Sequence, residues 1–79
     1  MSRKVALVTG GCRGIGLGIA RSLAQEGLNL ALSGRRPFQE ISGTIAALQS
    51  LGVEVIYIQA DVANRFDRHR MLDHILQKF

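Results

Sequence analysis

Near the N-terminus the chain reads Thr9-Gly10-Gly11-Cys12-Arg13-Gly14-Ile15-Gly16, directly after the apolar run Val5-Ala6-Leu7-Val8 and directly before a stretch with helical spacing. Few arrangements accommodate such a segment. A short apolar run broken by glycines and followed by an amphipathic pattern reads as a buried strand, a tight turn and a helix. The glycines allow the backbone to turn sharply and to come close to a ligand, while unpaired N–H groups at a helix start attract an anion such as a pyrophosphate. The segment therefore reads as a nucleotide-binding turn. The other reading of these glycines is a purely structural strand-to-helix turn.

Along the rest of the chain the hydrophobic period alternates between helix and strand. Ile15, Ile19 and Leu23 recur every four residues beside Ala20 and Ala24, giving a first helix one apolar stripe that Gly27 closes. Leu28–Ser33, ended by Gly34, reads as a second buried strand. Pro37 suits the first turn of a second helix, with Ile41, Ile45, Leu48 and Leu51 as its buried face and Gly52 as its stop. Val53–Ile58 is β-branched and reads as a third strand. Asn64, with Asp67 three residues on, resembles a capping box that opens a third helix bearing Leu72, Ile75, Leu76 and Phe79.

This β-α-β-α-β-α order defines an α/β fold. It is the N-terminal, three-stranded part, of order 3-2-1, of a Rossmann-type doubly wound parallel sheet. In that arrangement the first two helices cover one face of the sheet and the third crosses to the other. The apolar strands call for burial on both faces, yet the first strand is left as an open edge beside a largely bare face. Residues 1–79 are therefore expected to form the N-terminal portion of a single dinucleotide-binding domain, completed by further polypeptide, another copy or a partner chain. Alone, the chain is expected to self-associate.

Size and composition narrow the classes. A chain of 79 residues, 47% hydrophobic, buries only about 60% of the surface that its unfolded form exposes, so its core is marginal. The apolar run after Met1-Ser2-Arg3-Lys4 is too short for a signal peptide, and no stretch has membrane-spanning length. One cysteine makes no internal disulfide, so a cytoplasmic setting is the default. The net charge of +4 comes from scattered residues, with Asp67 and Asp73 interleaved among the last of them. Without interspersed aromatics or a contiguous basic block, this is a solvated surface rather than a nucleic-acid stripe. His69 and His74 are five apart and do not share a helix face as zinc ligands would, so no metal site is expected.

The spacing Gly10-x-x-x-Gly14-x-Gly16 differs from G-x-G-x-x-G, which places a glycine where Ile19 stands, and no Walker lysine follows. With threonine in front and Gly-Ile-Gly at its end, the segment resembles the cofactor loop of the classical short-chain dehydrogenase/reductase family. The likeness runs through the third helix and is greatest to 3-oxoacyl-acyl-carrier-protein reductases and related carbonyl reductases. It implies a homo-oligomeric oxidoreductase that moves hydride between a nicotinamide dinucleotide and a carbonyl or alcohol, with a tyrosine, a lysine four residues after it and a separate serine as catalysts. Those catalysts are expected beyond Phe79. Tyr57, the only tyrosine, is followed by Asp61 at that spacing, so this chain alone is expected to be inactive. The alternative is a non-catalytic nucleotide-binding module, or a truncated product that needs a partner chain.

Cofactor choice is expected at the end of the second strand. Sites that take NAD place an acidic residue there for the ribose hydroxyls, whereas this chain has Ser33-Gly34-Arg35-Arg36. With no carboxylate there to repel a 2′-phosphate and two guanidinium groups to bind one, NADP is expected over NAD. The resemblance implies the same, because Arg13 and Arg35 match positions that are basic in NADP-preferring members. The other reading is that the arginines only solubilise a loop. Asp61-Val62 matches a pair that contacts adenine in the family, while from the residues alone Asp61 serves equally well as a turn cap. The cofactor-binding candidates are thus Gly10, Cys12, Arg13, Gly14, Ile15, Gly16, Ser33, Arg35, Arg36, Asp61 and Val62. Cys12 sits where a thiol can become reactive, although a tolerated small residue is its simpler role.

Overall fold

Three parallel strands and three helices alternate in the computed structural model, which describes residues 4–10 and 14–79. They are β1 (Val5–Thr9), α1 (Gly14–Gln25), β2 (Asn29–Gly34), α2 (Phe38–Gln49), β3 (Val55–Gln59) and α3 (Arg65–Lys78). The sheet order is β1-β2-β3, with Leu7 opposite Ala31 and Ala31 opposite Ile56. This is the α/β, 3-2-1 arrangement expected from the hydrophobic period.

The central strand explains its own composition. Every residue from Asn29 to Ser33 is buried, because a parallel strand flanked on both sides and covered on both faces leaves no solvent-facing side. Leu30 and Leu32 point to one face, where Ala20 and Ala24 of α1 and Ile41, Ile45 and Leu48 of α2 complete the main core. A smaller cluster lies on the opposite face, where Met71 and Ile75 of α3 meet Ile56, Ile58 and Ala60. At β1 coverage is incomplete: Leu7 remains 42% exposed.

Two of the expected helix faces are rotated. On α1 the buried residues are Ala20 and Ala24, whereas Ile15 and Ile19 are 86% and 50% exposed. At 3.6 residues per turn Ile19 lies about 100° from Ala20, and the small alanines, not the isoleucines, let the helix lie close on β1 and β2. On α3 Met71 is buried, while Leu72, Leu76 and Phe79 are exposed. The helix meets the sheet through the Met71–Ile75 row one step away. Leu51 is also exposed, having left α2 before the turn at Gly52.

Boundary shifts have local causes. Pro37 is the residue before α2, with extended backbone, rather than a member of its first turn. Strand β3 starts at Val55 instead of Val53 because the Glu54 N–H donates to the buried Asn29 Oδ1 at 3.0 Å. Gly27 closes α1 as expected, its N–H donating to Ala24 O and the next N–H, of Leu28, to Leu23 O.

The expected cap on α3 is present in modified form. Asn64 Oδ1 accepts from Phe66 N and Asp67 N at 2.9 and 3.1 Å. Asp67, however, reaches past Asn64 to accept from Asp61 N at 2.8 Å. Asn64→Ala is expected to cost about 1 kcal/mol, read as a lower urea midpoint; an unchanged midpoint would remove the cap from the account of α3. Among the described residues, no helix is long and apolar enough to cross a membrane.

Candidate nucleotide-binding site

At the C-terminal ends of the strands a cleft of about 540 Å³ is lined by Thr9 and Gly10 after β1, Ser33 to Arg36 after β2, and Ala60 to Ala63 after β3, with Ile41 and Tyr57. Parallel α/β sheets bind ligands at this end, where all the crossover turns converge. Of the candidates from the sequence, the fold gathers Gly10, Ser33, Arg35, Arg36, Asp61 and Val62 around this cleft. Gly14, Ile15 and Gly16 start α1 without lining it, and Cys12 and Arg13 lie outside the described residues.

Gly10 and Gly14 adopt φ of +68° and +54°, a region that side-chain-bearing residues rarely enter. The Gly10 N–H donates to Ser33 O at 2.7 Å. It therefore ties the glycine turn to β2 and is not held ready for a phosphate. Ser33 is fully buried, and its Oγ has no hydrogen-bond partner among the described residues. An unsatisfied buried hydroxyl is costly; Ser33 lies opposite Ile58, on the sheet face away from Leu32 and Tyr57.

The Arg35 and Arg36 side chains stand at the rim, 81% and 49% exposed. The sequence placed no carboxylate at this strand end, but the fold brings two close to the arginines. Asp61 Oδ2 lies 3.7 Å from Arg35, and Glu40 Oε1 lies 3.7 Å from Arg36. Exposed pairs of this kind contribute about 0–1 kcal/mol, so a doubly charged phosphate can displace them at little cost. Asp61 also takes its capping role, since its Oδ1 accepts from Ala63 N at 3.0 Å.

Several residues that shape this site escaped the sequence reading. Arg68 Nη1 donates to Val62 O at 2.8 Å and Arg70 Nη2 to Gln59 O at 2.6 Å. Together with Asp67, they make the first turns of α3 a brace for the Asp61-Val62 segment. Tyr57 and Gln59 hold the β2 end in the same way, with hydroxyl and amide donating to Arg36 O and Arg35 O at 2.6 and 3.2 Å. These residues looked like ordinary strand and helix-surface positions; only the β2–β3 register, Gly34 opposite Gln59, reveals what they touch.

A strand–glycine turn–helix, a convergent cleft at the strand ends and a basic rim define a nucleotide-binding α/β domain. Comparison with known proteins narrows this. A sequence model described as short chain dehydrogenase matches residues 4–79, and the chain belongs to that family. It is 37% identical over 76 residues to peroxisomal 2,4-dienoyl-CoA reductase of Arabidopsis thaliana, covering 96% of this chain and 25% of the relative. The crystal structure of a 3-oxoacyl-[acyl-carrier protein] reductase from Brucella melitensis in complex with NAD superposes with TM-score 0.90 at 40% identity, covering all of this chain and 30% of that one. An alcohol dehydrogenase from Thermococcus sibiricus complexed with 5-hydroxy-NADP gives TM-score 0.88 at 38% identity, over 99% of this chain and 33% of that one. The chain thus spans about a quarter to a third of the length of these relatives.

Proposed function

We propose that this chain is the NADP(H)-binding part of an oxidoreductase acting on a carbonyl or alcohol substrate. The observation that carries the reading is the pair of arginines at the rim of the cleft, immediately after β2, where a dinucleotide site discriminates between its two cofactors. When bound, the nicotinamide group supplies or accepts a hydride.

The residues of the chain fit such a ligand. Arg35 and Arg36 offer charged, paired donors to a ribose 2′-phosphate, and Ser33 lines the cleft just before them. Asp61 and Val62 border the cleft where the resemblance puts the adenine. Gly14, Ile15 and Gly16 would face the pyrophosphate side, with Cys12 and Arg13 just before them in the sequence. Proton transfer is assigned to residues outside 1–79, because the Tyr57 hydroxyl is engaged with Arg36 O and Asp61 stands where a partner lysine would be needed. We further propose that residues 1–79 are the N-terminal portion of one domain in a cytoplasmic homo-oligomer. Support comes from the apolar surface left by Leu7 and Ile19 and from the greater length of the relatives.

Calorimetric titration of the purified protein with NADP⁺ and NAD⁺ tests the reading. NADP⁺ is expected to bind at least about tenfold tighter, the equivalent of one charge-assisted hydrogen bond. Equal affinities, or a preference for NAD⁺, would reverse the cofactor assignment.

A further inference from the structure

Arg35 and Arg36 are too exposed for packing to hold them, yet recognition of a phosphate by two guanidinium groups depends on where their backbone is placed. Three consecutive carbonyls supply that placement. Gly34 O accepts from Ala60 N at 2.8 Å, Arg35 O from Gln59 Nε2 at 3.2 Å and Arg36 O from Tyr57 Oη at 2.6 Å. All three donors belong to β3 or the residue after it, so the end of β2 is held to its neighbour beyond the last ladder pair. Pro37, with φ of −62°, stiffens the next position.

Tyr57 is the close-fitting member of this clamp. A Cβ placed on Gly34 would lie 3.0 Å from Tyr57 Oη, and 3.6 and 3.7 Å from Cε1 and Cζ. A methyl group at position 34 would therefore crowd the phenol hydroxyl, which must give by a few tenths of an ångström, although the backbone conformation is one that other residues adopt. The ring packs on the main core and lines the cleft, while its hydroxyl fixes the carbonyl of Arg36.

We infer that Tyr57, seated against Gly34, is a positioning residue for recognition of the 2′-phosphate: it sets where Arg35 and Arg36 present their guanidinium groups, and so how strongly the site separates phosphorylated from unphosphorylated ribose. The inference rests on the reading that these arginines receive that phosphate. A purely structural Tyr57 would affect every nucleotide equally; a positioning Tyr57 affects only those with a 2′-phosphate.

The experiment measures binding of adenosine 2′,5′-bisphosphate and 5′-AMP to the wild-type protein, Tyr57→Phe, Gly34→Ala and the double variant, with far-UV circular dichroism as the check on folding. Tyr57→Phe keeps the ring and removes the hydroxyl that donates to Arg36 O. It is expected to weaken the bisphosphate roughly fivefold and 5′-AMP less than twofold. Gly34→Ala is expected to do the same by displacing the hydroxyl. In the double variant the added methyl group meets only ring carbons at ordinary contact distance, so its loss should not exceed that of Tyr57→Phe alone.

A folded Tyr57→Phe that binds both probes as the wild type does, or weakens both equally, overturns the inference while leaving the cofactor assignment in place. A wild-type protein that binds the two probes equally overturns both. Should Gly34→Ala fail to fold alone, the Tyr57→Phe comparison decides.

Discussion

Arg35→Asp is expected to reverse the cofactor preference, weakening NADP(H) by about 100-fold while leaving NAD(H) unchanged or a few-fold tighter. The loss has two sources. A guanidinium-to-phosphate bond contributes about 1.5–3 kcal/mol, and the new carboxylate adds repulsion in the same place. The gain follows from the hydrogen bonds that an acidic residue at the end of β2 accepts from the ribose hydroxyls. Asp61, 3.7 Å from Arg35 in the wild type, sharpens the effect, since the substitution replaces an ion pair by two neighbouring carboxylates. Because Arg35 is largely exposed, ionic strength screens its contribution, and the wild-type preference for NADP⁺ should shrink as salt is added. The check is the ratio of the two dissociation constants in wild type and variant at one fixed salt concentration. If that ratio is unchanged, Arg35 is a solubilising residue and the phosphate binds elsewhere.

The order of the elements was legible in the sequence because it is written in local signals: short apolar or β-branched runs for the strands, apolar residues three or four apart for the helices, and Gly27, Gly52 and Asn64 at the helix ends. What those signals lack is the direction of approach between elements. A stripe such as Ile15-Ile19-Leu23 states that a helix has an apolar side, but α1 is seated by Ala20 and Ala24, whose small size lets it come closest to the sheet. The same lack hid the rotation of α3. In the candidate site the arginines and Asp61-Val62 were visible because they occupy the turns directly after strands. Tyr57, Gln59, Asp67 and Arg70 were not, since they act across the β2–β3 register or back from a helix. Their donors meet backbone carbonyls and N–H groups, which have no signature of their own in sequence.

Leu32→Ala is the substitution expected to cost most in stability. Leu32 is completely buried in the central strand, opposite Val8 and Tyr57, in the cluster shared with α1 and α2. Truncation of such a leucine removes about 3 kcal/mol. At about 0.05–0.15 kcal/mol per residue, a unit of this size has little more than that to lose at the lower end. Leu76→Ala, on the exposed side of α3 at 77% exposure, should stay within about 0.5 kcal/mol of wild type. Urea melts of the two variants make the comparison, and equal shifts would contradict the assignment of the core. The strand also links fold to site, since Leu32 immediately precedes Ser33 and the clamped turn. Ligand in excess stabilises a folded site by about 2.7 kcal/mol at 100 times its dissociation constant. Saturating NADP⁺ should therefore recover most of the stability lost in Leu32→Ala, where the cleft is intact whenever the chain is folded. The same NADP⁺ concentration should stabilise Arg35→Asp far less, where the chain folds but the phosphate has lost its partner.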